Sequence, residues 1–459
     1  MPIPIANDTF IDEQRLTDAI GRASAPSPGE LSTVLAKGRA LQGLTIEEAA
    51  LLMSASGEEA LQAIFDTASY IKNTIYGGRL VFFAPIYLSN FCVNECAYCG
   101  FHAGNGAPRK KLTMDEIRRE TTRLIEMGHK RLLLESGEDP VNNPIDYVLE
   151  AIDAIYSVKT PMGEIRRINV NIAATTADNY RALKGKGIGT YQLFQETYHR
   201  PTFEKMHRGP KGDYRRQLYA MDGAFNSGID DVGLGVLFGL YDWRFETLGL
   251  ISHAEYLSKT FGVGPHTISV PRFRPAHSVD LMPEHPVADE NFLKLIAILR
   301  IAIPYTGMII TTRERPDIRK AAFDTGISQA SAASSTAPAG AGSRVAQFEL
   351  SDKRSLDEIA ISVMKQGLTP SFCTACYRRQ RTGSAFMDLA KPGDIRDFCK
   401  PNSILTLLEY LEDAASAEGK ALGMEIIEKS LESMGDTPMR KETEERLERI
   451  KRGERDLYF

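Results

Sequence analysis

The chain has a single tryptophan, six cysteines in 459 residues, and no run of eighteen apolar residues. Each scarcity excludes something. Without a long apolar run there is no candidate membrane-spanning helix. The start, Met-Pro-Ile-Pro-Ile-Ala-Asn-Asp, has neither the cationic n-region nor the apolar h-region of a secretory signal, so a cytoplasmic location is expected. Lys and Arg number 55 against 60 Asp and Glu, a net charge of −5 that leaves no basic footprint; no nucleic acid and no membrane is expected as a partner. An even number of cysteines permits disulfides, but such frameworks belong to small secreted chains, and a reducing cytosol opposes them. What is present is ordinary for a globular enzyme, 43% hydrophobic and 25% charged residues, enough for one large core with appended elements.

Residues 1–75 read as a polar helical extension, with periodic apolar positions in Leu31-Ser-Thr-Val-Leu-Ala and Thr45-Ile-Glu-Glu-Ala-Ala-Leu-Leu-Met. From Arg79 short β-rich runs alternate with amphipathic segments, the rhythm of βα units on a parallel sheet. Eight such runs are predicted: Leu80–Leu88, Arg131–Glu135, Ile168–Ala174, Thr190–Gln195, Asp231–Phe238, Thr267–Arg272, Met308–Thr312 and Ile327–Ala332. Between the first two, Thr113 and Glu116 predict a capping box opening a helix over Met114–Met127. Eight repeats argue for a closed (β/α)8 TIM-type barrel, expected over residues 76–368, with a C-terminal helical module over 369–459. On composition, Ala330–Ser343 reads as a linker ending the domain; its place after the eighth strand also allows an active-site loop. A helix is predicted around Leu356–Lys365, and Arg440–Arg455 reads as a solvated helix face.

All six cysteines fall into two groups. The first, Ser89-Asn-Phe-Cys92-Val-Asn-Glu-Cys96-Ala-Tyr-Cys99-Gly-Phe, has C-x3-C-x2-C spacing directly after the first predicted strand. Three thiolates hold three irons of a [4Fe–4S] cube and leave the fourth iron an open position for chemistry. A structural zinc site is the competing reading, but it wants four closed ligands, and only His102 offers a fourth. At these residues the sequence resembles the radical S-adenosylmethionine (SAM) superfamily. The resemblance implies that SAM chelates the open iron and is cleaved by one electron to a 5′-deoxyadenosyl radical, the protein supplying orientation and exclusion of water. It also implies an aromatic beside the adenine, matched by Tyr98, whose other reading is simple packing. A Gly-rich, Glu-ending motif for the SAM amino group is matched by Ser136-Gly137-Glu138-Asp139, with Ser in place of the first Gly.

Barrel enzymes build their sites at strand C-terminal ends, and that filter collects Asn169, Asn171, Thr175, Gln195, Glu196, Arg272, Arg313, Glu314 and Ser331. Glu196 joins the expected cofactor contacts, and Arg313 and Ser331 are the expected catalytic residues. The guanidinium fork of Arg313 suits the carboxylate of an amino-acid substrate; its other reading is an ion pair with Glu314 or Glu196.

The second group is Ser371-Phe-Cys373-Thr-Ala-Cys376-Tyr-Arg-Arg-Gln-Arg-Thr-Gly followed by Cys399-Lys-Pro-Asn, again three thiols and no fourth. A C-x2-C alone is shared by zinc and redox motifs. The whole segment is similar to the [FeFe]-hydrogenase maturase tyrosine lyases, the HydG family. So are Ala173-Ala-Thr-Thr, the run Gly189–His199, and Gly262-Val-Gly-Pro-His266-Thr-Ile-Ser-Val-Pro-Arg272, the similarity running from about residue 75 to about 420. This resemblance implies two [4Fe–4S] clusters. At the first, L-tyrosine is cleaved to p-cresol and dehydroglycine. At the second, held by Cys373, Cys376 and Cys399, the fragment becomes carbon monoxide and cyanide on an extra iron attached through free L-cysteine, with His266 as a ligand of that iron. Companion hydrogenase maturases, including the scaffold GTPase, and a low-potential electron donor are the implied partners.

The strand reading puts His266 at the start of the sixth strand, on the barrel's N-terminal face. The two triads are therefore expected at opposite barrel ends, the interior serving as a passage between them. Two alternatives stay open: an aromatic amino acid lyase like the thiamine-pathway 2-iminoacetate synthase whose second cluster conducts electrons, and a non-catalytic iron–sulfur carrier.

Overall fold

A computed structural model describes residues 9–277, 279–341 and 345–459. The leader reading of the first eight residues, and the last two residues of the Ala330–Ser343 stretch, lie outside the described residues. Four helices come first: Glu13–Arg22, Pro28–Arg39, Ile46–Ser54 and Glu58–Tyr76. Ser27 with Glu30 and Thr45 with Glu48 make reciprocal capping boxes, satisfying amide donors that a helix start otherwise leaves free. The helix Glu58–Tyr76 packs on the helix Asp289–Ala302 at the outside of the barrel.

Eight parallel strands close on themselves: β1 (Arg79–Ser89), β2 (Arg131–Ser136), β3 (Arg167–Asn171), β4 (Tyr191–Gln192), β5 (Val232–Gly235), β6 (Thr267–Ser269), β7 (Gly307–Ile310) and β8 (Gln329–Ser331). Closure is by β1 against both β2, with Ala84 opposite Leu132, and β8, with Val81 opposite Gln329. Each predicted run contains a strand. The fourth and fifth are much shorter than predicted because the chain beyond Gln192 and Gly235 leaves the regular ladder to build the site, keeping isolated bridges from Glu196 to Val236 and from Phe238 to Arg272. The helix Met114–Glu126 carries the expected Thr113–Glu116 box, and a helix spans Leu356–Met364.

A ninth strand, β9 (Thr369–Ser371), was not anticipated. β2 engages β1 only from Ala84 onward, and β9 pairs with Arg79, Leu80 and Val81 at the other end of the same long strand. A three-residue strand centred on Pro370 has no alternation to read, and its pairing is supplied by the barrel. Beyond it lie the helices Ala375–Arg378, Gly383–Ala390, Arg396–Asp413, Ala417–Glu432 and Pro438–Lys451. The charged last helix buries Thr443, Leu447 and Ile450 and turns its remaining face outward. Arg166, just before β3, pairs with Glu409 on the helix Arg396–Asp413, both side chains being at most 3% exposed. Among the described residues no helix is long and apolar enough to cross a membrane.

Candidate functional site

β1 ends at Ser89, and the loop that follows carries Cys92, Cys96 and Cys99 over the C-terminal mouth of the barrel. The three thiols, Tyr98, Ser136, Gly137, Glu138, Asn171, Glu196, Arg313 and Ser331 all line one cavity there. The loop is held by short-range bonds, Cys99 N–H to the Cys96 carbonyl at 3.0 Å and Phe101 N–H to Cys99 Sγ at 3.4 Å. Gly137 lies where a Cβ would come within 2.3 Å of the Phe91 carbonyl, so only glycine lets β2's end approach the cysteine loop.

The charged residues of the cavity are mostly paired. Glu138 accepts from Asn94 Nδ2 at 2.7 Å and from Arg216 at 2.6 Å. Glu196, in the left-handed region at φ +67°, meets Lys211 at 2.8 Å. A non-glycine residue there stores strain of the kind that clusters at functional sites. Burial opposes the charge on Lys211, yet Glu196 and the Cys96 thiol outweigh it and hold its pKa above the usual lysine range. Tyr98 shares a hydrogen bond with His207 at 2.8 Å while its ring lines the cavity, so packing and cavity wall are both its roles.

Arg313 differs from these. Both carboxylates proposed as its partners are engaged elsewhere: Glu314 with Arg272 and Arg274, Glu196 with Lys211. Its guanidinium lies 3.3 Å over the Phe348 ring, and among the described residues it has no ion pair. The nearby Glu135 offers no full anion at neutral pH, because burial pushes its pKa up to about 8 despite Arg313 and Asn171. The cation is thus left with charge to spend. Ser331 Oγ accepts the Thr312 N–H at 3.2 Å, leaving its own hydroxyl proton to donate.

Several strand-end residues turn out to hold the fold. Arg272 and Glu314 form a buried pair, Asn169 accepts from Thr190 N–H at 3.1 Å, Thr175 accepts from Asn179, and Gln195 is buried outside the cavity lining. The linker reading of Ala330–Ser343 is corrected. Ser331, Ser334 and Thr336 line the cavity, because the small residues let this loop lie close over the mouth. Asn94, Glu135, Lys211 and Arg216 were not picked out. Asn94 sits between two cysteines of the motif and Glu135 shares Gly137's inward parity, which were usable signals; Lys211 and Arg216 arrive from a distant loop and helix and carried none.

The second triad gathers at the other end of β1. Cys373 follows β9, Cys376 lies in the helix Ala375–Arg378, and Cys399 in the helix Arg396–Asp413. Arg79, the first residue of β1, has Cys399 and Cys373 as electrostatic neighbours. An eleven-residue strand extends roughly 33 Å at about 3.3 Å per residue, which measures how far Arg79 lies from the first cysteine loop. His266, immediately before β6, stacks on Phe386 at 4.1 Å and Tyr377 at 5.8 Å between ring centroids. Its Nδ1 lies 2.9 Å from Asp231 Oδ2, off the line of a well-aligned hydrogen bond. Asp231, at the start of the fifth predicted run, is a further residue that was not picked out; a polar residue opening an apolar run was its signal.

The donor sets suit clusters better than a single ion. Each group offers three thiols, the set that leaves one iron of a [4Fe–4S] cube open, and not the four closed ligands of a structural zinc site. Burial pushes the Cys99 thiol up to about 11 and Cys376 to about 12, so taking up a metal here would require these groups to give up protons. Between the two ends the barrel interior is unusually polar. Phe83, Leu133 and Ile309 form a small apolar group, but Gln192 and Gln329 also face it with amide oxygens that lack partners among the described residues. A Cβ at Gly233 would sit 2.5 Å from Thr267 Oγ1 and 2.7 Å from Gln192 Cγ, so the glycine is what lets these two polar side chains occupy the interior.

Comparison with known proteins bears on both ends. The Radical SAM superfamily matches residues 86–249, and the Biotin and Thiamin Synthesis associated domain matches 269–369. A solved HydG, a maturase of the [FeFe]-hydrogenase, is 51% identical with TM-score 0.95, covering 98% of this chain and 100% of that one. HydG from Carboxydothermus hydrogenoformans is 39% identical with TM-score 0.83, over 95% and 97%. The 2-iminoacetate synthase of Escherichia coli (strain K12) is 30% identical over 332 residues, 71% of this chain and 86% of that protein.

Proposed function

This chain belongs to the HydG family of radical SAM maturases, and from that premise we propose that it cleaves L-tyrosine to p-cresol and dehydroglycine at the first end of the barrel. At the second end the fragment becomes carbon monoxide and cyanide, delivered as an iron–carbonyl–cyanide unit to [FeFe]-hydrogenase maturation. The observation that carries this reading is the pair of incomplete thiol triads at opposite ends of one strand, with His266 beside the second.

When bound, the first [4Fe–4S] cluster with SAM supplies a deoxyadenosyl radical, and the second cluster with its extra iron and L-cysteine supplies the metal that takes up the diatomic products. The chain's own residues do the rest. Cys92, Cys96 and Cys99 hold the first cluster. Glu138, fixed by Asn94 and Arg216, presents a carboxylate to the SAM amino group, and Gly137 and Ser136 bring the strand end close enough for it. Tyr98 walls the adenine side, and the Glu196–Lys211 pair closes the cavity against water. Arg313 receives the tyrosine carboxylate, with the Ser331 hydroxyl donating beside it. Cys373, Cys376 and Cys399 hold the second cluster, and His266, oriented by Asp231, keeps Nε2 for the extra iron. The unpartnered amide oxygens of Gln192 and Gln329 in the interior support passage of a small polar fragment between the ends.

Anoxic reconstitution with SAM, tyrosine and a strong reductant tests the reading. Wild type should yield 5′-deoxyadenosine, p-cresol, carbon monoxide and cyanide. Cys373→Ser and Cys376→Ser should keep p-cresol and lose both diatomics. Wild type that gives p-cresol without either diatomic would favour the 2-iminoacetate synthase alternative, and a variant that keeps both diatomics would take their formation away from the second cluster. Absence of 5′-deoxyadenosine from wild type would leave only the carrier.

A further inference from the structure

Residues 456–459 fold back onto the segments that carry the second triad. Asp456 adopts a left-handed φ of +67°, strained for a non-glycine residue, which lets its carboxylate reach Arg378 on one side and come within 2.9 Å of buried Arg166 on the other. Tyr458 takes the Arg378 guanidinium over its ring at 3.8 Å and that of Arg379 at 5.1 Å. Phe459 is 9% exposed beneath Arg446, accepts from Arg381 Nη2 at 2.7 Å, and donates its N–H to Asn402 Oδ1 at 2.9 Å.

The partners of this short tail are not scattered. Arg378 and Arg381 are two and five residues beyond Cys376, and Asn402 is three beyond Cys399. One side of residues 456–459 grips the segment after Cys376; the other grips the helix of Cys399, a residue that lies 23 positions farther along the sequence. Arg381 N–H also donates to the Cys376 carbonyl at 2.8 Å, so the two arginines that residues 456–459 hold belong to the turn that carries this thiol. A cluster held by three thiolates carries negative charge, and cations fixed beside it favour its retention.

We propose that Asp456, Tyr458 and Phe459 form a clasp of positioning residues for the second cluster: they tie the Cys376 segment to the Cys399 helix and hold Arg378 and Arg381 beside the thiolates. This rests on the reading that the second triad binds a cluster. The clasp touches neither substrate nor the first cavity, so its loss acts on one end of the molecule alone.

The test deletes residues 456–459 in two backgrounds of the full chain. One carries Cys92→Ser, Cys96→Ser and Cys99→Ser and keeps the second triad alone; the other carries Cys373→Ser, Cys376→Ser and Cys399→Ser and keeps the first. After anoxic reconstitution with iron and sulfide, iron release to a ferrous chelator is followed. Deletion should speed release about tenfold in the first background, the scale on which outer partners affect metal retention, and leave the second background unchanged. Unchanged release in the first background, or equal acceleration in both, would overturn the clasp. Should the deletion fail to fold, Tyr458→Ala should speed release and Tyr458→Phe, which keeps the ring under Arg378, should match the parent; identical behaviour of both also overturns it. If the parent with the second triad alone takes up no cluster, the two-cluster reading falls and the clasp with it.

Discussion

Cys92, Cys96 and Cys99 lie within eight residues of one loop, whereas Cys373, Cys376 and Cys399 span 27 residues and come from separate elements. The first loop largely orders itself. Arg109 alone donates to the carbonyls of Asn90, Phe101, His102, Ala103 and Asn105, gathering the loop around one guanidinium. The second triad is ordered by tertiary contacts. Phe372 N–H donates to Thr406 Oγ1 at 3.2 Å, Phe372 stacks on Tyr410 at 4.8 Å, and Glu409 of the same helix binds Arg166. A ligand set built by local turns tolerates loosening elsewhere, while one built by docking depends on every contact that docks it. The second end should therefore be the weaker.

The largest test of that contrast is Glu409→Ala. Removing Glu409 leaves buried Arg166 with only the half-exposed Asp456 carboxylate as counter-charge and should cost up to about 3–5 kcal/mol, the scale for breaking a buried pair. The loss should fall unevenly. In urea titrations of the two single-triad backgrounds, absorbance of the second cluster should disappear at markedly lower denaturant than that of the first. Equal midpoints would show that the barrel and its C-terminal helices unfold as one unit and would break the comparison.

Arg313→Ala sharpens the chemical side. A charge-assisted bond to the substrate carboxylate contributes about 1.5–3 kcal/mol, so kcat/KM for tyrosine should fall roughly ten- to a hundredfold. Because the effect lies at the first end, p-cresol, carbon monoxide and cyanide should fall together. A changed ratio of cyanide to p-cresol would place Arg313 in the second stage instead.

The contrast also explains what could be read in advance. Cysteine spacing, the Thr113–Glu116 box and eight β-rich runs are local patterns, and each reports local structure. The Arg313 cavity was legible in outline because a parallel barrel brings every strand's C-terminal end to one face. Lys211 and Arg216 reach that cavity only through the path of a loop and helix after β4, which no local pattern encodes. β9 escaped for the same reason: Thr369-Pro370-Ser371 is extended only because β1 offers an edge. In the stretch 330–341 composition favours a linker over the active-site loop that position also allows, because the small residues that make a linker flexible also let Ser331, Ser334 and Thr336 pack against the cavity. Asp231 was hidden in plain view, a charged residue opening a strand whose partner, His266, opens the next.

Asp231→Asn probes the second end at finer scale. It keeps the shape beside His266 Nδ1 but removes the carboxylate, and a lost outer-shell carboxylate weakens metal binding about tenfold or somewhat more. Titration of ferrous iron into the reconstituted protein should show that weakening, with p-cresol formation unchanged. A matching loss of p-cresol would mean that Asp231 supports the barrel as a whole.

The smallest effect expected is one of pH, and it belongs to the first end. Glu246 is fully buried beneath the turn that carries Glu196, accepting the Tyr198 N–H at 2.8 Å and the Thr197 hydroxyl. Burial pushes its pKa up to about 8 from an ordinary 4.5. Between those values the folded protein keeps a proton that the unfolded chain has released, so stability falls as pH rises through that window and levels off above it. One such group gives a slope of at most about 1.4 kcal/mol per pH unit, so from pH 7 to pH 8 the loss is below that figure. Glu246→Gln, neutral throughout, should flatten the melting temperature across this range in the background that keeps only the first triad. If the slope survives the substitution, the turn under Glu196 is not where the first end senses pH.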